Sequence, residues 1–374
     1  METKALYIHI PFCKKKCYYC DFPSFCGKDH LTEEYIKVLN KEILERASGF
    51  KIVTIFIGGG TPTFLNSQEL LLLGEAINKL DISEECEFTV ECNPGTLTEE
   101  KLQVLKSIGV NRLSIGLQST HDYHLKNIGR IHSYNQFVEN YRLARKLGFD
   151  NINIDLIFGL PDESLEEWIE DLKRVLELRP DHVSTYSLII EEDTPFFNLY
   201  NEGRLKLPEE ELERDMYRKA LELLIKAGYH QYEISNFSLK GKECRHNLVY
   251  WNLEDYIACG TGAHSYSGGV RYKNAHSIEE YLELMRAKGN AFVSVHENSQ
   301  KDDIEEFIFM GMRKINGICE EVFKRRFNVS LEDLYQEVLL KHERQKLITR
   351  ENGNLRFTAK GIELSNLVLS DFLL

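Results

Sequence analysis

The stretch YIHIPFCKKKCYYC, residues 7–20, decides which fold and chemistry the sequence predicts. It joins a short apolar strand pattern, Ala5–Ile10, to three cysteines spaced C-x3-C-x2-C. Three thiolates this close in sequence can hold one corner of an iron–sulfur cubane. No fourth cysteine follows at comparable spacing, since Cys26 comes six residues after Cys20. We therefore predict that Cys13, Cys17 and Cys20 hold a [4Fe–4S] cluster whose fourth iron stays open for a ligand.

A zinc knuckle is the alternative for these cysteines, with Cys26 or His9 as the fourth ligand. It would leave the rest of the sequence unexplained. An open iron, by contrast, can chelate the amino and carboxylate groups of a methionine derivative. S-adenosylmethionine (SAM) is such a molecule, and the protein would position it and exclude water.

Strand and helix patterns alternate through the first half of the chain. Such alternation predicts parallel βαβ units, in an open sheet or in a barrel. The predicted strands are Ala5–Ile10, Lys51–Ile57, Glu87–Glu91, Asn111–Ile115, Asn151–Phe158 and His182–Ile190.

The second half follows a different pattern. A long amphipathic helix, Glu209–Ala227, precedes a mixed region rich in Tyr, His and Gly at 229–275. The tail then predicts a helix, two short strands at Leu347–Thr349 and Leu355–Thr358, and a final helix at Ala359–Leu369. This order indicates a small, mostly helical, winged-helix-like module that acts as a lid or packing domain. The predicted domains are a core barrel at 1–230, a barrel extension at 231–295 and a C-terminal domain at 296–374.

Polar and glycine residues follow the predicted strands. Gly58-Gly59-Gly60-Thr61-Pro62 comes after the second strand, Glu91 ends the third, and Gln118 and Arg130 follow the fourth. Asp155 lies within the fifth. Because functional groups of barrels gather at the carboxyl ends of strands, we expect these residues to share one ligand site.

Composition limits the partners and the compartment. The formal charge of −13 disfavours a nucleic-acid surface, which is usually basic. Nine cysteines and no export signal favour reduced thiols, so we expect a cytoplasmic protein without disulfides.

Several motifs resemble the radical SAM family of oxygen-independent coproporphyrinogen III oxidases and their relatives, over nearly the whole chain. They are residues 7–22, Gly58–Pro62, Glu91-Cys92-Asn93-Pro94, Ser114–Ser119 and Asn153–Pro161. The resemblance implies an α/β fold, a partial six-stranded, TIM-like (β/α) barrel. It also implies that SAM is contacted by Tyr7, Tyr19, Gly59, Gly60, Thr61, Glu91, Gln118, Arg130 and Asp155.

Two features point to one branch of that family. The decarboxylating oxidases carry a further cysteine where this chain has Phe22. The hexapeptide His246-Asn247-Leu248-Val249-Tyr250-Trp251 resembles the HNxxYW motif of the HemW heme chaperone branch. The resemblance implies heme as cargo, held by His246, Asn247, Tyr250 and Trp251. The alternative is that these side chains pack the barrel.

The resemblance therefore predicts a chaperone that delivers heme to apo-hemoproteins, membrane-associated ones included. An electron donor such as flavodoxin or ferredoxin would be needed if SAM is cleaved. The rivals are enzymes. One is a radical SAM protein that modifies porphyrins, either the oxygen-independent coproporphyrinogen III oxidase or a heme-degrading relative, and the other is a radical SAM protein that modifies RNA. The acidic composition argues against the second.

Overall fold

A computed structural model describes residues 2–374. The strands are β1 Thr3–Ile10, β2 Lys51–Gly59, β3 Asp81–Cys92, β4 Arg112–Gln118, β5 Ile152–Phe158, β6 His182–Ser187, β7 His230–Glu233, β8 Asn236–Ser238, β9 Tyr256–Cys259, β10 His264–Ser267, β11 Val270–Asn274, β12 Phe292–Glu297, β13 Ile318–Cys319, β14 Ile348–Glu351 and β15 Asn354–Phe357. The helices are α1 Thr32–Ala47, α2 Ser67–Ile77, α3 Glu99–Ser107, α4 Asp122–Asn127, α5 Tyr134–Lys146, α6 Leu165–Leu178, α7 Pro195–Asn201, α8 Glu210–Lys226, α9 Arg245–Trp251, α10 Ile278–Lys288, α11 Gln300–Gly311, α12 Glu320–Phe327, α13 Leu331–Arg344, α14 Ala359–Glu363 and α15 Ser365–Ser370.

Six parallel strands, β1 to β6, lie side by side in chain order, as the alternating pattern predicts. Their bounds differ from the predicted ones in two places. β3 begins at Asp81 and not at Glu87, because Asp81 and Ile82 pair with Lys51 and Ile52 of β2 despite their polar surroundings. β6 ends at Ser187, so the apolar residues up to Ile190 lie outside the sheet.

The sheet is wider than the predicted six strands. The order is β12-β11-β10-β9-β1-β2-β3-β4-β5-β6-β8-β7. The added strands come largely from the mixed region at 229–275. They have only three to six residues each, which is too short for a clear strand pattern in the sequence. β9 runs parallel to β1, so its end at Cys259 lies beside the strand that leads to the three cysteines.

The two faces of the central strands differ in character. One face is apolar and packs against helices, as Ile8, Ile57, Val90 and Ile115 do in the main hydrophobic cluster. Because side chains alternate across a strand, the intervening residues share the other face. That face is mostly polar, and its members are Tyr7, His9, Thr54, Phe56, Glu87, Thr89, Glu91, Arg112, Ser114, Asn153, Asp155, His182 and Ser184. A lumen lined in this way is built to hold a polar ligand and differs from the apolar, filled interior of a TIM barrel.

The C-terminal part forms a second hydrophobic cluster around the three-stranded sheet β13-β15-β14. Leu253 and Tyr266 of the preceding region belong to the same cluster, which anchors this part to the large sheet. The final helix predicted at Ala359–Leu369 is two helices, because the backbone at Leu364 (φ −116°, ψ 24°) interrupts it. Within residues 2–374, no helix combines the length and the apolar character needed to cross a bilayer.

Candidate functional site

The cysteine loop leaves β1 at its carboxyl end and is closed at its base by backbone hydrogen bonds. Cys13 N donates to Phe25 O at 3.0 Å, and Phe25 N donates to Pro11 O at 2.7 Å. Cys13 is buried, whereas Cys17 and Cys20 are half-buried. The first thiol of the loop is therefore the most enclosed of the three.

Side chains from two other segments contact the thiols. Thr61 Oγ1 lies 3.5 Å from Cys13 Sγ, and Arg130 Nη1 lies 3.6 Å from Cys17 Sγ. A side chain at Gly60 would bring its Cβ within 2.8 Å of Phe12 O and 3.0 Å of Cys13 Sγ. Glycine is thus required where the backbone passes the first thiol.

The donor set fits a cubane better than a single metal ion. Across residues 2–374, no three His, Cys, Asp or Glu side chains converge closely enough to hold one ion. Thiolates that bind three different irons of a cubane need not converge in this way. Both ring nitrogens of His9 have other partners, so this side chain is not free to complete a zinc site, and Cys26 is exposed.

His9 connects the strand to the cysteine loop, a role that the sequence did not reveal. Its Nε2 donates to Pro23 O at 2.7 Å, because a carbonyl oxygen can only accept. Its Nδ1 therefore accepts from the Tyr7 hydroxyl at 3.0 Å. Burial lowers the pKa of His9 to about 4, which keeps this ring neutral. At Gly59 (φ +114°), an added Cβ would lie 2.6 Å from the His9 ring.

Two carboxylates lie deeper in the lumen. Glu91 Oε2 accepts from Gly59 N at 3.1 Å, and Asp155 accepts from Ser114 Oγ at 3.1 Å and from Asn153 Nδ2 at 2.7 Å. Burial raises the pKa of Glu91 to about 8, and the negative charge of Asp155 adds to the rise. Burial also raises the pKa of Asp155 above its usual value, against its hydrogen bonds and the nearby Arg112. Both groups therefore gain from a ligand that donates hydrogen bonds or carries positive charge.

Arg130 and Gln118 occupy the edge beside these carboxylates. Arg130 Nη2 donates to Asn93 Oδ1 at 3.0 Å and to Gly116 O, which fixes the guanidinium between β3 and β4. Gln118 follows a register shift in β4 and has a φ of +74°, a strained backbone for a residue other than glycine. Gln118 Oε1 and Arg130 Nε are buried, and neither atom has a hydrogen-bond partner within residues 2–374. Unpartnered buried polar atoms of this kind fit a site that is completed by a ligand.

The structure thus brings the predicted SAM-contacting residues to one edge of the barrel. Tyr19 joins them from the cysteine loop. Burial raises its pKa above the usual tyrosine value, with the neighbouring Cys17 as the next cause. Ile189, near the end of the sixth predicted strand, is 64% exposed and belongs to no strand.

The hexapeptide motif lies elsewhere, on α9 and against the inner face of β2 and β3. Glu87 accepts from the backbone N–H groups of Arg245 and His246 at 3.0 and 3.1 Å, which docks the amino end of this helix. His246 is fully buried, its Nδ1 lies 2.8 Å from Thr54 Oγ1 and its Nε2 lies 2.8 Å from the Tyr250 hydroxyl. Its ring also stacks on Phe56, with centroids 5.2 Å apart.

The motif is therefore divided between two environments. His246 and Tyr250 face the lumen, and Arg313 lies over the ring of Trp251, 4.6 Å from its centroid, at the contact with the C-terminal part. Asn247 is half-buried on the same helix. In this arrangement His246 has no free nitrogen for an iron atom. The geometry favours the packing role that the sequence left as the alternative for this histidine.

Residues that sequence reasoning missed are the polar members of the inner strand face. Arg112 is buried, and its positive charge faces Glu87, Glu91 and Asp155. Asn153 bridges Ser114, Asp155 and Ser184. One sequence feature could have revealed them: polar residues at every second position of strands that are otherwise Ile, Leu and Val.

Comparisons with known proteins identify the family and the fold of this chain. The radical SAM superfamily model matches residues 7–175, and the HemN C-terminal domain model matches residues 298–364. The solved structure of coproporphyrinogen III oxidase (HemN) from Escherichia coli, a radical SAM enzyme, superimposes with a TM-score of 0.86 at 24% identity, over 100% of this chain and 90% of that one. That likeness confirms the predicted fold, and at this identity it shows the fold alone.

Two relatives are similar over their full length. The heme chaperone HemW of Bacillus subtilis (strain 168) is 40% identical over an alignment of 375 positions, which covers 99% of this chain and 99% of its own. The heme chaperone HemW of Lactococcus lactis subsp. lactis (strain IL1403) is 41% identical over 100% of this chain and 98% of its own. The family implies a [4Fe–4S] cluster and SAM, and the predicted resemblance is confirmed. The chain belongs to the HemW family of radical SAM proteins.

Proposed function

We propose that this protein is a heme chaperone, which binds a [4Fe–4S] cluster, SAM and heme and delivers the heme to apo-hemoproteins in the cytoplasm or at a membrane. The observation that carries the proposal is the identity of about 40%, over the full length, to proteins that are heme chaperones. The position of Phe22 supports it, because the decarboxylating oxidases have a thiol there and this side chain is an exposed phenyl ring. All nine cysteines are unpaired, which fits the cytoplasmic location in the proposal.

In the proposal, Cys13, Cys17 and Cys20 bind the cluster, and Arg130 and Thr61 hold two of the thiols in place. Glu91 accepts hydrogen bonds from the ribose of SAM, while Gln118, Arg130 and Asp155 bind its other polar groups. Tyr7 and His9 fix the distance between the strand and the loop. A cluster held by these three thiols would, once reduced, supply one-electron chemistry at the sulfonium of SAM.

The test is anaerobic reconstitution, followed by heme titration and product analysis. We expect heme to bind in the micromolar range or tighter, a free energy of about −8 kcal/mol or more favourable, mostly from burial of the apolar porphyrin faces. We also expect no consumption of porphyrin. Release of carbon dioxide and protoporphyrinogen from coproporphyrinogen III, with no heme binding, would replace the chaperone by the oxidase. A shift of RNA mobility would favour the RNA-modifying rival.

Glu91→Gln tests the ribose contact and the cost of a buried carboxyl group together. We expect SAM to bind at least tenfold more weakly at pH 8, because a neutral amide replaces a carboxylate acceptor whose hydrogen bonds are worth roughly 1.5–3 kcal/mol each. Because folding raises the pKa of Glu91 from 4.5 to about 8, the folded state holds this proton more tightly than the unfolded state. The resulting contribution to the free energy of unfolding is full below about pH 4.5 and is lost as the pH rises to about 8. The SAM-free variant should therefore be more stable than the wild type at pH 8, by roughly 2–4 kcal/mol, and equal to it near pH 4.5.

Isothermal titration with SAM and thermal unfolding at the two pH values measure both effects. Glu100→Gln, an exposed residue on α3, is the matched control and should change neither. Unchanged SAM affinity in Glu91→Gln would remove Glu91 from the SAM site, whatever happens to stability.

A further inference from the structure

A buried histidine at the start of β6, His182, uses both of its ring nitrogens inside the lumen. Its Nδ1 lies 2.6 Å from Asn153 Oδ1, and its Nε2 lies 2.8 Å from the Tyr232 hydroxyl oxygen. Asn153 Nδ2 lies 2.7 Å from Asp155 Oδ1. The four side chains therefore form one continuous hydrogen-bonded chain, which ends at a predicted SAM contact.

The acceptor at the Asp155 end sets the direction of every hydrogen bond in this chain. An ionised carboxylate can only accept, so Asn153 turns its amide nitrogen to Asp155 and its oxygen to His182. That oxygen needs a donor, so His182 carries its proton on Nδ1, and its Nε2 accepts from the Tyr232 hydroxyl. The Tyr232 oxygen in turn accepts from Cys244 N at 3.3 Å. All four hydrogen bonds therefore donate towards Asp155.

Burial keeps the chain in this arrangement. His182 is 1% exposed, and burial lowers its pKa well below the usual value, so the ring stays neutral and has one N–H group to donate. Ser114 Oγ and Ser184 Oγ also flank the Asn153 amide, at 2.8 and 3.0 Å. A hydroxyl can donate or accept, so neither serine holds the amide in one orientation. His182 is therefore the partner that holds Asn153 from the side opposite Asp155.

We propose that His182 is a positioning residue for SAM binding, which acts through Asn153 to hold Asp155 as an ionised acceptor. The inference rests on the proposed SAM site, in which Asp155 binds a polar group of SAM. A donor on a carboxylate stabilises its charged form, and hydrogen bonds aligned in one direction polarise one another. The chain starts at Cys244, the residue before α9, so it also connects the helix of the hexapeptide motif to the SAM site.

The experiment titrates SAM into the anaerobically reconstituted full-length protein by calorimetry. His182→Leu should weaken SAM binding by at least about tenfold, because Asp155 loses the fixed orientation of a charge-assisted donor. Tyr232→Phe keeps the ring and removes only the outer hydrogen bond, so we expect a loss of roughly threefold. His182→Asn should recover most of the affinity, since its amide nitrogen can donate in the place of Nδ1. Iron content should stay at the wild-type value in all three variants.

Two further measurements separate positioning from a merely structural role. In the background of Asp155→Asn, His182→Leu should weaken SAM binding by less than about twofold more, because its effect passes through the carboxylate. Infrared spectra of the SAM-free protein should show more protonated carboxyl group in His182→Leu than in the wild type at the same pH. That signal should be absent when Asp155→Asn is added. A merely structural histidine would give the same loss in both backgrounds and no carboxyl signal.

His342→Leu is the matched control. His342 is a second fully buried histidine, on α13, and its Nε2 lies 2.7 Å from Asp371 Oδ2. Its replacement should lower the melting temperature and leave the SAM affinity unchanged, which a general effect of buried histidines on stability would not do.

Three outcomes would overturn the proposal. They are an unchanged SAM affinity in His182→Leu, an equal loss in His182→Asn, and a full further loss in the background of Asp155→Asn. If His182→Leu does not fold, Tyr232→Phe decides, and an unchanged affinity there overturns the proposal. Failure of the proposed SAM site is distinguishable, because Asp155→Asn alone would then bind SAM as tightly as the wild type.

Discussion

Cys17→Ser is expected to abolish the cluster absorbance, in a protein that otherwise folds as the wild type does. Wild-type protein reconstituted anaerobically should contain about four iron and four sulfide per chain. Cys17 is half-buried on the loop, and its Sγ lies near Arg130 Nη1, so the serine variant removes a ligand without opening a hole in the hydrophobic core. Tight SAM binding should be lost with the cluster, because the predicted open iron would be one of the groups that hold SAM. Iron and sulfide analysis with visible absorbance measures the first effect, and SAM titration the second.

Cys26→Ser is the matched control for this prediction. Cys26 is exposed and lies four residues after Phe22, near the base of the same loop. Its replacement should leave the iron content and the absorbance unchanged. A full cluster in Cys17→Ser, loss of the cluster in Cys26→Ser, or zinc as the native metal would contradict the three-cysteine site.

The central barrel could be predicted because its sequence is regular. Strands such as Asn151–Phe158 are apolar at alternate positions and end at Gly-Leu-Pro, and the structure places the strand at Ile152–Phe158. Ser164 and Glu167 have the spacing of a capping box, and the structure contains both of its hydrogen bonds at the start of α6. Local sequence patterns were sufficient to predict these elements, since each pattern favours the same structure that the tertiary packing requires.

The added strands could not be predicted in the same way. β9 has four residues, and it exists because it pairs with β1, which lies some 250 positions earlier in the chain. β3 extends back to Asp81 for a similar reason, although this segment reads as polar. Pairing between distant segments has no local signature, so sequence periodicity does not report it.

The candidate site also contains residues that could be predicted from the sequence and residues that could not. Residues next to glycines and strand ends, such as Thr61 and Glu91, could be found from position alone. The role of His9 could not, because its partners Tyr7 and Pro23 become meaningful only when the loop folds back over the strand. For His246 the resemblance implied a heme contact, and burial with both ring nitrogens occupied indicates a structural role in this conformation.

His246→Ala is therefore expected to destabilise the whole barrel. The variant removes a fully buried ring and leaves Thr54 Oγ1 and the Tyr250 hydroxyl without their partner. Large-to-small changes of buried aromatic side chains cost about 3–5 kcal/mol, and an unsatisfied buried hydroxyl adds roughly 1–3 kcal/mol. The effect should reach the cluster, since the Tyr7 ring lies 6.5 Å from His246 and its hydroxyl bonds to His9, which holds the cysteine loop. Thermal unfolding and iron content should fall together.

His246→Gln separates a structural role from an iron ligand. A glutamine side chain can still hydrogen-bond to Thr54 and Tyr250, so a structural histidine predicts a smaller loss of stability than in the alanine variant, with the heme absorbance of the wild type. A histidine that binds iron predicts the opposite, because glutamine has no imidazole and the Soret band would shift in both variants while stability stays high in the glutamine one. Burial lowers the pKa of His246 to about 3, so the ring is neutral across the physiological range and its charge cannot confound the comparison. A shifted Soret band in His246→Gln, with cluster and melting temperature intact, would show that α9 moves to expose this ring when heme binds.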